Sequence, residues 1–466
     1  MPDTTNAVMQ QIFEPRSVAV VGVPRGQGLG RRFLEALQSP GFKGAIYAVN
    51  PNATAILGVT CYPSVSAIVE ATGQPVDLAI VVTPPGAAAA VVEDCARAGV
   101  PAAVMFVSGF DELHTPEGDA RAAELLAAAR AGNVRMIGPN CMGVYAPAVG
   151  LGPNPDMASE VGDTAFVSQS GSLMAMMSRT SLDRGFPASK AVSVGNQLDL
   201  QAADFLRYLG DDDATEVVAM YVEGARDGRQ FFEALRSTAA RKPVVLWKAG
   251  RTEGGARAAH SHTGALSGSR AIWQAVARQA GAVTAHNAEE LVDFVVALHI
   301  RPQPAGTRIA VVTGPGGPSI SAVDALEEAG LRLAELTPET IDRLREVINP
   351  VGTSPNNPVD LGMGGTRESF EASARIAGAD PNVDAVVVIG GGRGDEGRAW
   401  ADSMIAAQRE TGTPFAIASA QLEPALLRSY ADAGIGVFPT ADRAVTAIAG
   451  AAGYAAFRRD IGRPIG

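Results

Sequence analysis

Cysteine, aromatics, histidine and positive charge are all scarce in this 466-residue chain, and each scarcity closes off a class of function. Cys61, Cys95 and Cys141 are odd in number and widely spaced, so neither a disulfide framework nor a zinc site is expected, and a reducing compartment fits. The formal net charge of -11 argues against nucleic acid or an anionic membrane as partner, since both need a basic footprint. Any phosphate ligand must then be held locally. No apolar run approaches the ~18 residues of a membrane helix, and the start, Met1-Pro2-Asp3-Thr4-Thr5-Asn6, lacks a basic region followed by an apolar core. A soluble, cytoplasmic chain is the expectation. Aromatics make up only 5%, against 52 Gly and 30 Pro, which favours small-residue α/β packing over a β-sandwich.

What is present is a repeated alternation of apolar strands and helices. A prior of roughly 150 residues per domain suggests about three domains. The first unit, residues 1–145, has strands at Ser17 to Gly22, Gly44 to Asn50, Val76 to Val82, Ala102 to Val107 and Arg135 to Gly138. Helical runs separate them, near Gly30 to Leu37, Ala87 to Ala98 and Ala120 to Ala131. Continuous β-branched runs alternating with helices read as a parallel sheet covered on both faces, a Rossmann-like nucleotide-binding unit. The Pro/Gly-rich stretch Ala146 to Pro155 interrupts the pattern and opens a second α/β unit, residues 146–300. Its strands are Thr164 to Val167, Ala191 to Val194, Glu216 to Val222 and Val244 to Trp247, with helices such as Ala202 to Tyr208 and Gly228 to Ala239. A break at Pro302 to Gly306 precedes a third unit, residues 301–466, with strands at Arg308 to Val312, Asp384 to Ile389, Phe415 to Ile417 and Val437 to Phe438.

Glycine-rich turns mark where ligands are expected. Gly22-Val23-Pro24-Arg25-Gly26-Gln27-Gly28-Leu29-Gly30 follows a strand and opens a helix, so a diphosphate can approach the bare backbone. The second strand ends in Val49-Asn50-Pro51 in place of a ribose-binding carboxylate, which disfavours NAD relative to another phosphate-bearing adenine nucleotide. Val167-Ser168-Gln169-Ser170-Gly171 and Val312-Thr313-Gly314-Pro315-Gly316-Gly317 are both strand, small-residue turn, then helix. Two such helix starts offer backbone N–H groups to an anion such as phosphoryl and could face one site. Gly138-Pro139-Asn140-Cys141 sits at the carboxyl edge of the first sheet, where Asn140 is a candidate polar contact and Cys141 an inert small hydrophobe.

Of five histidines, His114, His286 and His299 read as surface or capping residues. His260 and His262 differ. They lie in a loop of small residues flanked by Gly254, Gly255, Gly264 and Gly268, where an imidazole stays accessible and nucleophilic toward phosphorus near its usual pKa of ~6.5. Position in the loop does not rank the pair. Such a histidine needs a carboxylate on its other ring nitrogen, and Glu223, ending the strand that runs to Val222, is the best candidate.

These pieces in order, with Ser193-Val194-Gly195-Asn196, Tyr221-Val222-Glu223-Gly224, Lys248-Ala249-Gly250-Arg251-Thr252, Ser261-His262-Thr263-Gly264 and Asn357-Pro358-Val359-Asp360, resemble the NDP-forming (ADP-forming) acyl-CoA synthetases nearly end to end. The alpha subunit of succinyl-CoA synthetase is a more distant likeness. The resemblance implies a CoA-binding Rossmann-like domain followed by two flavodoxin-like ligase domains. It places the phosphohistidine at His262 and its carboxylate partner at Glu223, with Ser170 and Gly171 beginning one phosphate-holding helix and Gly316 and Gly317 the other. The implied coenzyme A contacts are Gly22, Pro24, Arg25, Gly26, Gly28, Asn50, Pro51, Thr83, Pro84, Ser108, Gly109 and Asn140; no metal ligand set is expected on this chain.

The implied reaction is reversible acyl-CoA formation from a small carboxylic acid and CoA, coupled to ATP/ADP or GTP/GDP through acyl phosphate and phosphohistidine. The family's ATP-grasp portion has no counterpart in these residues, so a separate beta subunit, a heterotetramer, and nucleotide with Mg²⁺ on that partner are implied. Two departures from the family pattern stand out. Asn52 follows Asn50-Pro51 where a Lys or Arg is frequent, leaving Arg25 to meet a CoA phosphate, and Thr313-Gly314-Pro315-Gly316-Gly317 has no Asn. The alternatives are an acyl or carbamoyl transferase on the same scaffold without histidine phosphorylation, and a CoA-sensing, non-catalytic subunit.

Overall fold

A computed structural model describes residues 3–39, 41–255, 269–314, 316–420 and 423–463. The chain divides into two compact units: Met1–Arg179 with Pro187–Ala280, and Thr180–Phe186 with Gly281–Gly466.

The first unit contains the expected Rossmann-like sheet. Its strands are β1 (Ser17–Val21), β2 (Ala45–Val49), β3 (Ala55–Ile56), β4 (Val59–Tyr62), β5 (Leu78–Val81), β6 (Ala102–Met105) and β7 (Arg135–Ile137), in the order β3-β4-β2-β1-β5-β6-β7. Only β3 is antiparallel, as half of a small hairpin with β4. Without that hairpin strand the order is that of dinucleotide-binding folds, reversing between β1 and β5. Every residue of β1, β5 and β6 is buried, as expected of strands covered on both faces.

Five further strands of this unit are β8 (Gly143–Tyr145), β9 (Thr164–Ser168), β10 (Ala188–Ser193), β11 (Val217–Val222) and β12 (Val244–Lys248), ordered β12-β11-β9-β10-β8. β8 is antiparallel to β10, and the other pairings are parallel. Numbered from β9, the parallel strands run 2-1-3-4, the flavodoxin-like arrangement, with the reversal between β9 and β11.

Three features tie these two sheets together. Asp199 accepts from Arg135 through Nε (2.9 Å) and Nη2 (3.2 Å), and from the Met136 amide at 2.8 Å. Gly195 lies so close to the Gly138 turn that a Cβ there would stand 2.2 Å from the Pro139 carbonyl oxygen. Finally, a helix at Asp3–Phe13, which the alternation of strands did not reveal, buries Met9, Ile12 and Phe13. The Phe13 ring stacks on Tyr208 of the Ala202–Asp211 helix at 5.4 Å and 6°.

The second unit holds β14 (Arg308–Thr313), β15 (Arg332–Leu333), β16 (Val359–Asp360), β17 (Ala385–Ile389), β18 (Phe415–Ala418) and β19 (Gly436–Phe438), numbered after β13 at Val283–Ala285. The order β15-β14-β17-β18-β19 is again 2-1-3-4-5, with β16 beside the end of β14. A core of Val312, Phe370, Trp400, Phe415 and Tyr430 packs against this sheet. Asn357 closes its edge by donating to the Ile309 (2.8 Å) and Ala334 (3.0 Å) carbonyls and accepting from the Val311 amide (2.9 Å). His299, expected as a surface or capping residue, is the C-cap of the Ala288–Leu298 helix. It is buried at the end of the Ala288–Leu298 helix, with Nδ1 2.7 Å from the Val295 carbonyl and its ring 4.7 Å from Phe186, because the apolar helix face continues through it.

Candidate functional site

Open parallel sheets leave a crevice at the carboxyl ends of the two strands where their order reverses. In the first sheet those ends are the Gly22 turn after β1 and Thr83 after β5. Gly22 has φ of 92°, and the Gly22 and Val23 amides donate to the Val49 carbonyl at 3.2 and 3.4 Å. The Asn50 side chain braces this turn, donating to the Val23 carbonyl at 2.7 Å and accepting from the Asn52 amide at 2.8 Å. Arg25 and Gly26 are exposed, as are Pro51, Pro84 and Ser108, while Pro24, Gly28 and Gly109 are half-buried.

The Leu29–Gln38 helix begins after Gly28 with no side-chain cap, so its first amides are available to an anion. The buried Thr83 hydroxyl has no hydrogen-bond partner among the described residues. An uncapped helix start, an exposed guanidinium and an orphan hydroxyl at one strand-order reversal fit a phosphate-bearing ligand such as coenzyme A.

In the neighbouring sheet the reversal brings together the turn after β9 and the end of β11. Ser170 caps the Gly171–Asp183 helix, its Oγ accepting from the Leu173 amide at 3.4 Å and lying 3.2 Å from Ser172 Oγ. Gly171 is pressed against the first domain, since a Cβ on it would stand 2.7 Å from Met142 Cβ. The start of this helix therefore adjoins the Gly138 to Gly143 turn. In that turn Asn140 adopts φ of 56° and Cys141 is buried; burial pushes its thiol up to about 12, leaving it unreactive near neutral pH.

Glu223 is buried at the end of β11, and its placement is over-determined. Gln169 Oε1 accepts from the Glu223 amide and, at 2.9 Å, from the Gly224 amide. Gln197 Nε2 donates to the Gly224 carbonyl at 3.3 Å. The Tyr221 hydroxyl donates to Glu223 Oε1 at 3.1 Å, and burial together with the Glu223 charge raises the phenol's pKa so that this proton stays. Lys248, buried at the end of β12, is also within electrostatic reach of Glu223. Its Nζ donates to the Ala249 carbonyl and stands 5.1 Å over the Trp273 ring, while burial pulls its pKa down to about 8 against the opposing pull of Glu223. Gln169 and Lys248 carry no role in the sequence reading, although both stand in motifs that drew attention there.

His260 and His262 lie outside the described residues, which resume at Ser269. In the second unit the Gly316–Glu328 helix begins at Gly316 and Gly317, with Gly317 exposed. Asp360 Oδ2 lies 3.3 Å from where a Gly316 Cβ would be, so a carboxylate already stands at this helix start, where the dipole favours it.

Three protein families account for most of the length. Residues 16–147 match the CoA binding domain, 161–298 the succinyl-CoA ligase like flavodoxin domain, and 309–392 the Ligase-CoA domain. The chain is 40% identical to acetate–CoA ligase [ADP-forming] I of Archaeoglobus fulgidus over 383 residues, covering 82% of this chain and 54% of that one. It thus spans about half the length of that relative. Against the acetate–CoA ligase [ADP-forming] II subunit alpha of Pyrococcus furiosus it is 35% identical, covering 82% of each chain. The solved dinucleotide forming acetyl-coenzyme A synthetase 1 of Ca. Korarchaeum cryptofilum, in complex with phosphate and ADP, superposes with a TM-score of 0.86 at 31% identity, covering 97% of this chain and 98% of that one. With the sheet orders and the motif series in agreement, the chain belongs to the NDP-forming (ADP-forming) acyl-CoA synthetase family, in its alpha-subunit architecture.

Proposed function

We propose that this chain is the alpha-type subunit of an NDP-forming acyl-CoA synthetase, an acid–thiol ligase that couples acyl-CoA formation to cleavage of ATP or GTP and, in reverse, acyl-CoA breakdown to phosphorylation of ADP or GDP. The observation that carries the reading is the meeting, within one unit, of the Ser170–Gly171 helix start, the buried Glu223 and the Met142 turn of the CoA-binding domain. In the direction of ADP phosphorylation, phosphate displaces the CoA thiolate from bound acyl-CoA to give an acyl phosphate, whose carboxylate leaves when its phosphoryl group is transferred. His262 then accepts the phosphoryl group on a ring nitrogen, and Glu223 receives the hydrogen bond from the other nitrogen, holding the tautomer and balancing the positive charge that develops. Gly171 offers its backbone amide and Ser170 its hydroxyl to the phosphoryl oxygens as the group transfers, with Gly316 and Gly317 beginning the second such helix.

Gly22, Pro24, Arg25, Gly26, Gly28, Thr83, Pro84, Ser108 and Gly109 line the CoA side, with Asn50, Pro51 and Asn140 shaping its turns. Nucleotide with Mg²⁺ belongs to an ATP-grasp beta subunit in a heterotetramer, and the workplace is the cytoplasm. The test is reconstitution with the ATP-grasp chain that copurifies. Acyl-CoA plus phosphate should then drive ADP phosphorylation, whereas CoA binding without any turnover would identify a sensor.

A further inference from the structure

Ser193-Val194-Gly195-Asn196 is a motif to which the proposed chemistry gives no task, yet Asn196 is the most connected polar residue beside the site. It is 4% exposed. Its Nδ2 donates to Asp111 Oδ1 at 2.7 Å and to Glu112 Oε2 at 2.5 Å. Its Oδ1 accepts from Asn140 Nδ2 at 3.3 Å, and its backbone amide donates to the Pro139 carbonyl at 3.0 Å. Its own carbonyl accepts from Arg226 Nε at 2.8 Å, and Arg226 Nη2 pairs with Asp111. Glu112 in turn accepts from the Gly109 amide at 2.5 Å and the Phe110 amide at 3.2 Å. One residue thus joins the loop carrying Ser108 and Gly109 and the turn carrying Asn140 through its side chain, and the segment that follows Glu223 through its carbonyl.

We infer that Asn196 is a positioning residue that fixes the two CoA-side loops against the strand end bearing Glu223, so that CoA is held in register with the phosphoryl site. This rests on the CoA-ligase reading above. An amide suits the place because only a neutral donor pair can satisfy two carboxylates at once while its oxygen accepts from Asn140. Asp at this position would lose both donors and put a third carboxylate against Asp111 and Glu112, where Arg226 is the one cation among the described residues paired into the group.

The test is a polarity swap in the full chain, read by calorimetric titration with CoA and by thermal unfolding. N196D should weaken CoA binding about tenfold or more, and E112Q, which sets amide donors against amide donors, should also weaken it. N196D/E112Q has the wild-type formal charge and restores a hydrogen bond of reversed direction, so it should return to within about threefold of wild type. In the reconstituted enzyme N196D should raise the KM for CoA, while phosphorylation of the chain from ATP, which needs no CoA, continues. N196D binding CoA as wild type does overturns the inference; so does a parallel loss of CoA binding, phosphorylation and unfolding temperature without rescue in the double variant, which marks a merely structural residue. A wild-type chain that gives no heat with CoA removes the ligase reading itself, and the inference with it.

Discussion

Replacing Gln169 by Leu isolates what holds Glu223 in place. Gln169 is 4% exposed, and its single carbonyl oxygen accepts both the Glu223 and Gly224 amides. Leucine fills similar space but accepts nothing, leaving two buried donors without a partner. At about 1–3 kcal/mol for each, the substitution should cost about 2–6 kcal/mol, less whatever local relaxation recovers. That is a large fraction of the ~5–15 kcal/mol that holds a typical domain together. Because a chain of two compact units need not unfold in one step, the local readout is amide hydrogen exchange of a peptide spanning Val217 to Gly224, alongside the denaturation midpoint. In Q169L the Glu223 and Gly224 amides should exchange far faster than in wild type, and phosphoryl transfer should fall with them. Wild-type protection of both amides, with an unfolding midpoint unchanged, would refute the reasoning.

Other perturbations probe separate parts of the fold. Lys248 has its pKa lowered by burial to about 8, so between pH 8 and about 10 the folded chain has released a proton that an unfolded chain still holds; its contribution to stability should rise with pH across that window. K248M should abolish that part of the rise in denaturation experiments run at several pH values. Asp384, whose burial is outweighed by hydrogen bonds from the Arg308 guanidinium and amide, has a lowered pKa; its stabilisation is present above about pH 4 and is lost as acid protonates it. D384N should therefore flatten the acid limb of the stability curve. G195A places a Cβ 2.2 Å from the Pro139 carbonyl oxygen at a residue with φ of 50°, and backbone cannot yield as a side chain can. A loss of at least about 3 kcal/mol, or failure to fold, is expected, and a thermal scan within a degree of wild type would contradict it.

How much could be read in advance follows from which interactions are local. Buried parallel strands are continuous apolar runs, and those at β1, β5, β6, β11 and β17 stood out with their turn residues, so the carboxyl ends of the strands could be located along with Gly22, Ser170 and Glu223, whereas the order of the strands could not. The Asp3–Phe13 helix was missed because its burial depends on a remote helix: Phe13 has its partner in Tyr208. The hairpin of β3 and β4 is too short to carry a periodic signal. Gln169 and Asn196 sat in recognised motifs, but a polar side chain does not disclose its partners, and those of Asn196 lie as far as 85 residues away.

The most direct measurement is where the phosphoryl group lands. The chain, assembled with the ATP-grasp partner proposed above and given labelled phosphate plus acyl-CoA, should acquire an acid-labile, base-stable label that peptide mapping assigns to His262. That label should vanish in H262A and fall sharply in E223Q. A label that persists in H262A, or thioester-linked nucleotide synthesis that continues without it, would contradict the account.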